Sequence, residues 1–196
     1  MQEEWPKILS QAQQWGAPLF LGDEASFAWW GSRSYPWAPV GQTPLVKTTS
    51  LRQGYQVLGL IEFFSGRLLY PGRADRFNRD SYQAFLKQRL APYPGPVLLI
   101  QDGAKYPTRK STREFIEANQ ERLLVYPLPS YSPDYNPIEY LWKKVKTKAT
   151  HNRYFAEFVQ WIQSVEKALS VLASQAEEIL RLMGLYTQQL AAPQTA

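Results

Sequence analysis

The chain has 196 residues, a formal net charge of +5, no cysteine and a single histidine. This composition excludes disulfide scaffolds, cysteine-ligated zinc, iron–sulfur centres, catalytic thiols and metal sites built from several histidines. Any metal ion would therefore be held by oxygen atoms. The length suits one domain with an ample hydrophobic core.

The predicted elements, in chain order, alternate between strands and helices. They are strands over 18–27, 53–64 and 67–71, a helix capped by Asn78, a strand over 96–100, a helix over 108–121, a strand over 122–127, a helix over 137–149 and an amphipathic segment over 155–183. Asn136 is the expected N-cap of the helix over 137–149, with Pro137 at its first position, and Gly184 is the expected end of the last segment. This order predicts an α/β or α+β domain with a mixed sheet.

The predicted organisation has three parts. Residues 1–17 form an N-terminal lead-in, residues 18–154 form the central domain, and residues 155–196 form a helical extension of the same domain. The acidic N-terminus is followed by no apolar stretch, which predicts no signal peptide, and no apolar run approaches the ~20 residues of a membrane span. The expected location is the cytoplasm.

Three carboxylates lie at positions that need an explanation. Asp23 lies among the apolar residues of a strand, Asp102 ends another strand, and Glu139 lies in the first turn of a helix. Burying a carboxylate costs several kcal/mol unless it is paired or binds a metal. If the three converge, they would suit Mg²⁺ ions and phosphodiester chemistry. Taken singly, each has another explanation: a strand-end acid, an Asp-Gly turn, and an i, i+4 pair of Glu139 with Lys143.

Basic residues cluster near two of these acids. Between 140 and 153 there are five bases and no acid, and between 105 and 113 there are four bases and no acid. Such clusters are typical of surfaces that bind polyanions, although solvated helix faces and loops also contain them. The candidate DNA-binding residues are Lys105, Arg109, Lys110, Lys143, Lys144 and Lys146.

The segment over 29–44 is rich in Trp, Pro and Gly and predicts a structured hairpin or loop. Its aromatic residues would stack on unpaired bases at a cleaved DNA end or form a small satellite core, and the second interpretation is favoured. These residues are Trp29, Trp30, Tyr35 and Trp37.

The sequence LPSYSPDYNPIEYLWKKVK, from Leu128 to Lys146, resembles the third-carboxylate motif of DDE transposases, in the bacterial insertion-sequence branch related to Tc/mariner elements. LFLGDEASF is similar to the first-Asp strand of that family, and VLLIQDGAKYPTRKS is similar to the second. The resemblance implies a ribonuclease H-like mixed sheet flanked by helices, with Asp23, Asp102 and Glu139 as the catalytic and metal-binding triad. It also implies two Mg²⁺ or Mn²⁺ ions and the cleavage and joining of DNA strands at element ends.

The resemblance also implies partners and rival functions. The expected partners are transposon-end and target DNA, a separate helix-turn-helix subunit or product of an upstream frame, and a second copy of the chain. A helix-turn-helix module is expected elsewhere because only about 17 residues precede the first predicted strand. The alternatives are a ribonuclease H-like nuclease without strand joining and a non-catalytic DNA-binding or oligomerisation remnant. The bacterial branch makes a nucleoid-associated protein the expectation.

Overall fold

The computed structural model describes residues 3–30, 40–41, 45, 47–102, 110–128 and 136–191. In chain order the elements are α1 (Trp5–Trp15), β1 (Leu19–Ala28), β2 (Gly54–Glu62), β3 (Leu68–Leu69), β4 (Gly72–Arg73), α2 (Arg79–Leu90), β5 (Val97–Asp102), α3 (Lys110–Glu117), β6 (Leu123–Leu128), α4 (Ile138–Ala149), α5 (Phe158–Ala173) and α6 (Ala176–Ala191). None of the helices in these ranges combines the length and the apolar character that a membrane crossing requires.

The six strands of the described chain form one mixed sheet in the order β3-β2-β1-β5-β6, with β4 also paired to β2. Strand β1 runs antiparallel to β2 and parallel to β5, and β5 runs parallel to β6. Parallel neighbours must be joined by a crossover connection. The connection from β1 to β5 includes α2, and the connection from β5 to β6 includes α3. The predicted mixed sheet flanked by helices is confirmed.

Helices cover both faces of this sheet. Buried side chains of α1, α4, α5 and α6 pack on one face, which we call the α4 face, together with Leu19, Leu21 and Phe27 of β1. Side chains of α2 and α3 pack on the opposite face, the α2 face, together with Phe20 of β1 and Leu99 of β5. Because side chains alternate along a strand, consecutive residues of β1 belong to different layers of the core.

Helix α1 lies in the segment predicted only as a lead-in. Trp5, Ile8 and Ala12 are buried and pack into the core of the α4 face. Pro6 stands in the first turn, and Gly16 ends the helix in the left-handed region with φ 57°. The i, i+3, i+7 spacing of those three apolar residues is the sequence signal for this helix.

The C-terminal amphipathic segment is two helices rather than one continuous segment. Helix α5 ends at Ala173, where the Ser174 hydroxyl donates a hydrogen bond back to the Val171 carbonyl at 2.7 Å. The expected stop at Gly184 is wrong, because Gly184 lies inside α6. A glycine within a helix costs only about 1 kcal/mol relative to alanine, so it does not by itself end one.

Candidate active site

Asp23 lies on the α4 face of β1, in the middle of the sheet. Its neighbours on that face, Leu21 and Ala25, are buried, and Asp23 itself is half-buried. Its Oδ2 atom accepts a hydrogen bond from the indole Nε1 of Trp142 at 2.9 Å. Trp142 belongs to α4, so this bond joins the helix that carries Glu139 to the strand that carries Asp23.

Helix α4 packs closely against the sheet at Gly59 of β2. In the antiparallel pairing of β1 with β2, Gly59 lies directly opposite Asp23. A Cβ atom at position 59 would lie 2.5 Å from Cη2 of Trp142 and 2.9 Å from Cδ1 of Ile138, distances that side chains do not tolerate. The absence of a side chain at Gly59 therefore lets α4 approach the strand pair closely enough for its indole to reach Asp23.

Asp102 is the last residue of β5, next to β1. The parallel register pairs Gly22 with Gln101, so positions 23 and 102 are the next residues along two neighbouring strands. Neighbouring strands lie about 4.8 Å apart. Alternation along β5 places position 102 on the α4 face with Leu98 and Ile100. The side chain of Asp102 lies outside the described residues, as does the expected turn at Gly103.

Glu139 is half-buried in the first turn of α4, three residues before Trp142. Its backbone N–H donates to the carbonyl of Asn136 at 3.1 Å. The expected side-chain cap by Asn136 is wrong: Pro137 occupies the cap position, the helix begins at Ile138, and no side-chain hydrogen bond caps it. Asn136 is instead buried, and its Oδ1 has no hydrogen-bond partner among the described residues.

The donor set suits a hard cation. Asp23 and Glu139 offer carboxylate oxygens, which Mg²⁺ and Mn²⁺ prefer, and both residues are half-buried rather than fully solvated. The hydrogen bond from Trp142 already orients one oxygen of Asp23. Among the side chains that the structure describes, no three acids or imidazoles meet as a metal site, and Asp102 is not among those side chains.

The basic residues of α4 lie beside these carboxylates in different environments. Lys143 lies over the Tyr140 ring at 5.3 Å, and Lys146 lies over the Phe27 ring of β1 at 5.8 Å. Lys144 instead forms an ion pair with Glu178 of α6, and this hydrogen bond lowers the pKa of the Glu178 carboxyl. Lys143 and Lys146 follow Glu139 at i+4 and i+7 and so share its side of the helix.

Three candidate DNA-binding side chains and part of the aromatic segment over 29–44 lie beyond what the structure describes. Lys105 and Arg109 lie outside the described residues, and so does the side chain of Lys110. Among the aromatic residues over 29–44, Trp29 is buried in the core of the α4 face, with its ring 5.4 Å from that of Phe158. Trp30 is exposed beneath the Arg52 guanidinium, and the predicted hairpin, with Tyr35 and Trp37, is not described.

By its spacing from Ile138, Leu141 and Val145, Trp142 belongs to the apolar stripe of its helix, and the sequence alone assigns it no further role. The structure adds the contact with Asp23, 119 positions earlier in the chain. The one available signal is spacing: a tryptophan, whose N–H usually finds an acceptor when it is buried, stands one turn after a candidate metal ligand. Which acceptor it meets depends on the register of β1 and β2.

The chain is similar in sequence to known proteins. The family model described as DDE superfamily endonuclease matches residues 18–162. The transposable element Tcb2 transposase of Caenorhabditis briggsae is 29% identical over 145 residues, covering 68% of this chain and 52% of that protein. The chain thus spans about half the length of this curated relative.

Solved structures show the same fold. The Mos1 strand transfer complex superposes with a TM-score of 0.70 at 18% identity, covering 97% of this chain and 58% of the Mos1 chain. The Mos1 mariner paired end complex with Mn gives a TM-score of 0.69 at 18% identity, covering 97% and 59%. The ribonuclease H-like fold implied by the sequence motifs is thereby confirmed.

Proposed function

Because the chain belongs to the DDE superfamily endonuclease family, we propose that it is the catalytic domain of a transposase. Its reaction has two steps. Water breaks a phosphodiester at an element end, which leaves a 3′-hydroxyl and a 5′-phosphate. That 3′-hydroxyl then attacks a target phosphodiester, so that a new phosphodiester joins the strands while the 3′-oxygen of the target strand leaves. The names of the relatives, a transposase and a strand transfer complex, support both steps.

The observation that carries this proposal is the contact of α4 with the strand of Asp23. The 2.9 Å bond from Trp142 to Asp23 places the first turn of α4, with Glu139, over the strand pair. The neighbouring strand β5 ends at Asp102, one residue beyond Gln101, the last residue of β5 that pairs with β1. This arrangement supports a site in which Asp23 and Glu139 meet near the end of β5, where Asp102 would supply the third carboxylate.

Asp23, Asp102 and Glu139 would hold two Mg²⁺ or Mn²⁺ ions. Such ions, when bound, activate the attacking oxygen and stabilise the charge that develops on the leaving oxygen. Lys143 and Lys146 lie on the side of α4 that carries Glu139, where they would contact DNA phosphates without reading the sequence. Lys144 is engaged by Glu178 and would contact DNA only after exchange of that partner.

Recognition of the element ends would require a further module. The partners proposed are a helix-turn-helix unit, supplied by a separate subunit or an upstream frame, and a second copy of the chain. The relatives are considerably longer than this chain, which supports an additional recognition module. The carboxylates and lysines of the candidate site would contact metal ions and phosphates, and such contacts do not distinguish one base from another.

The test is a nicking assay on supercoiled plasmid DNA with Mn²⁺ or Mg²⁺. We expect the wild-type chain to nick the plasmid, and chelation by EDTA to abolish the reaction. Asp23→Asn, Asp102→Asn and Glu139→Gln should each lower the rate by at least ~10²-fold, because each removes a charged metal ligand. Far-UV circular dichroism should show that these variants remain folded.

Glu24→Gln is the matched control, since Glu24 is also half-buried in β1 but lies on the opposite face from Asp23. It should retain the wild-type rate. Nicking that persists in all three ligand variants would overturn the proposal. A second assay supplies pre-cleaved DNA ends with a free 3′-hydroxyl: joined products support the transferase, whereas nicking without joining points to a ribonuclease H-like nuclease. Salt-sensitive DNA binding with no nicking would point to a non-catalytic remnant.

A further inference from the structure

The indole of Trp142 occupies the space between α4 and the β1–β2 pair. It is almost fully buried, its ring meets Phe27 edge to face at 6.3 Å, and its Nε1–H donates to Oδ2 of Asp23. Burial of an indole ring is by itself ordinary core packing, driven by the hydrophobic effect. Here the single polar atom of the ring is also directed at a carboxylate that the proposed function assigns to metal binding.

The strand pair is shaped to admit this ring. Gly59 is the register partner of Asp23, and directly paired residues of antiparallel strands point to the same face. The ring atoms Cη2 and Cζ2 of Trp142 lie 2.5 Å and 2.7 Å from where a Cβ of residue 59 would be. The indole therefore fills the place of the missing side chain, directly beside Asp23.

We propose that Trp142 is a positioning residue that fixes the Asp23 carboxylate for metal binding and sets its distance from Glu139. The inference rests on the proposed function, because it assumes that Asp23 is a metal ligand. It adds a residue whose own atoms would not contact the metal ion or DNA.

Two features of the structure support a positioning role. A hydrogen bond to one carboxylate oxygen restricts rotation of the Asp23 side chain, and a bond to an ionised acceptor is among the stronger kinds. Trp142 and Glu139 lie on consecutive turns of α4, so the same bond that orients Asp23 also holds the helix turn that carries Glu139. Groups that orient metal ligands typically change metal affinity by 10- to 100-fold when they are removed.

The test replaces the indole N–H without changing the shape of the ring. Benzothienylalanine, in which sulfur replaces the N–H, would be incorporated at position 142 of the full-length chain, and Mn²⁺ binding would be measured by calorimetry. We expect the Kd for Mn²⁺ to rise by about 10- to 100-fold with little change in the urea midpoint of unfolding. Plasmid nicking should become half-maximal at a correspondingly higher Mn²⁺ concentration.

The same analogue at position 29 is the matched control. Trp29 is also a buried tryptophan of the α4 face, but its Nε1 has no hydrogen-bond partner among the described residues. Its replacement should leave the Kd for Mn²⁺ within about twofold of wild type, since no bond to a ligand is lost. An unchanged Kd in the position-142 protein would overturn the inference alone. A wild-type chain without saturable Mn²⁺ binding would overturn the proposed function and this inference with it.

A metal-free measurement gives an independent result. In the ¹⁵N-labelled protein, the indole N–H resonance of Trp142, assigned through Trp142→Phe, should shift when Asp23 is replaced by Asn. The Trp29 resonance should not move. A Trp142 resonance that is insensitive to Asp23→Asn would show that the bond is not made in solution and would overturn the positioning role.

Discussion

On both faces of the sheet helices pack on a buried apolar core, and the α4 face also carries the contact of Trp142 with a candidate metal ligand. Neighbouring residues of β1 show the difference: Gly22 faces Leu60 and Leu99 on the α2 face, whereas Asp23 faces Trp142 on the α4 face. Below Asp23, Leu19 and Leu21 are as fully buried as Phe20 on the other side. The candidate site thus lies directly beside an apolar core, so the scaffold and the chemistry can be perturbed separately.

Each face also has a tyrosine that ties a helix to the sheet. On the α4 face the Tyr55 hydroxyl of β2 donates to Oε1 of Glu166 in α5 at 2.6 Å. On the α2 face the Tyr82 hydroxyl of α2 donates to Oε1 of Gln101 in β5. Substitutions paired across the two faces therefore separate what holds the fold from what holds the site.

The largest effect is expected from removing a core leucine on either face. Leu141 of α4 and Leu86 of α2 are both fully buried. Leu141→Ala and Leu86→Ala should each lower the free energy of unfolding by about 2–5 kcal/mol, because each leaves a cavity. Urea unfolding followed by circular dichroism measures this cost. Only Leu141→Ala, whose helix carries Trp142 and Glu139, should also weaken Mn²⁺ binding; equal Mn²⁺ affinities in the two variants would contradict the assignment of the site to the α4 face.

A smaller effect is expected from adding one methyl group at a glycine of each face. At Gly59 the new Cβ would meet the Trp142 ring at 2.5 Å, whereas at Gly22 it would meet Cδ2 of Leu60, the end of a flexible side chain, at 2.9 Å. Gly59→Ala should cost about 1–3 kcal/mol of stability by displacing α4, and Gly22→Ala should cost less. Urea unfolding gives both values.

The glycine pair also reports on the site. Gly59→Ala should shift the indole resonance of Trp142 and weaken Mn²⁺ binding, because the ring can no longer lie beside Asp23. Gly22→Ala serves as the control and should leave both properties unchanged. Comparable losses of Mn²⁺ affinity in the two variants would mean that the close approach at Gly59 is irrelevant to the site.

The smallest effect is expected from the tyrosine bonds. Tyr55→Phe and Tyr82→Phe should each cost about 1 kcal/mol at neutral pH, the usual net contribution of a hydrogen bond. Burial, and then the bond to Glu166, raises the pKa of Tyr55 above its ordinary value. A raised pKa contributes stability that is fully present below the unfolded-state pKa of about 10 and is lost as the pH rises toward the folded-state value.

The difference in unfolding free energy between wild type and Tyr55→Phe should therefore be constant from about pH 7 to pH 9 and should shrink above about pH 10. Urea titrations across that range measure it, and the ionisation of other tyrosines cancels in the difference. A difference that stays constant to pH 11 would indicate that folding does not raise the pKa of Tyr55 and would contradict the prediction.

Much of the fold could be predicted from local patterns. The alternation of Leu19, Leu21, Ala25 and Phe27 in the sequence predicts a strand with one apolar face, and these four side chains are buried on the α4 face of β1. Asn78 was identified as a helix cap, and it forms a reciprocal pair of hydrogen bonds with Ser81. Such signals lie within a few residues of one another and need no knowledge of the rest of the chain.

The errors fall where local signals compete with packing. Helix α1 lies in the segment predicted only as a lead-in: at 11 residues it is too short to be stable alone, and burial of Trp5, Ile8 and Ala12 against the α4 face stabilises it. Gly184 was expected to end a helix that in fact continues past it, and Asn136 was expected to cap α4 with a side chain that is buried instead. At α1 and at Asn136 tertiary contacts outweigh a weak local preference, whereas Gly184 lies in open space and only adds the small cost of a glycine inside a helix.

The sequence by itself determined which chemistry is available: oxygen ligands without cysteine, and acids at a strand centre, a strand end and a helix start, with lysines beside the last of them. Only the tertiary structure decided that Gly59 lies opposite Asp23 and that Trp142 fills the space between them. The physical reason is that strand register and helix docking depend on the packing of segments far apart in the chain. A shift of the register by one residue would turn Asp23 away from its partner, although no residue would have changed.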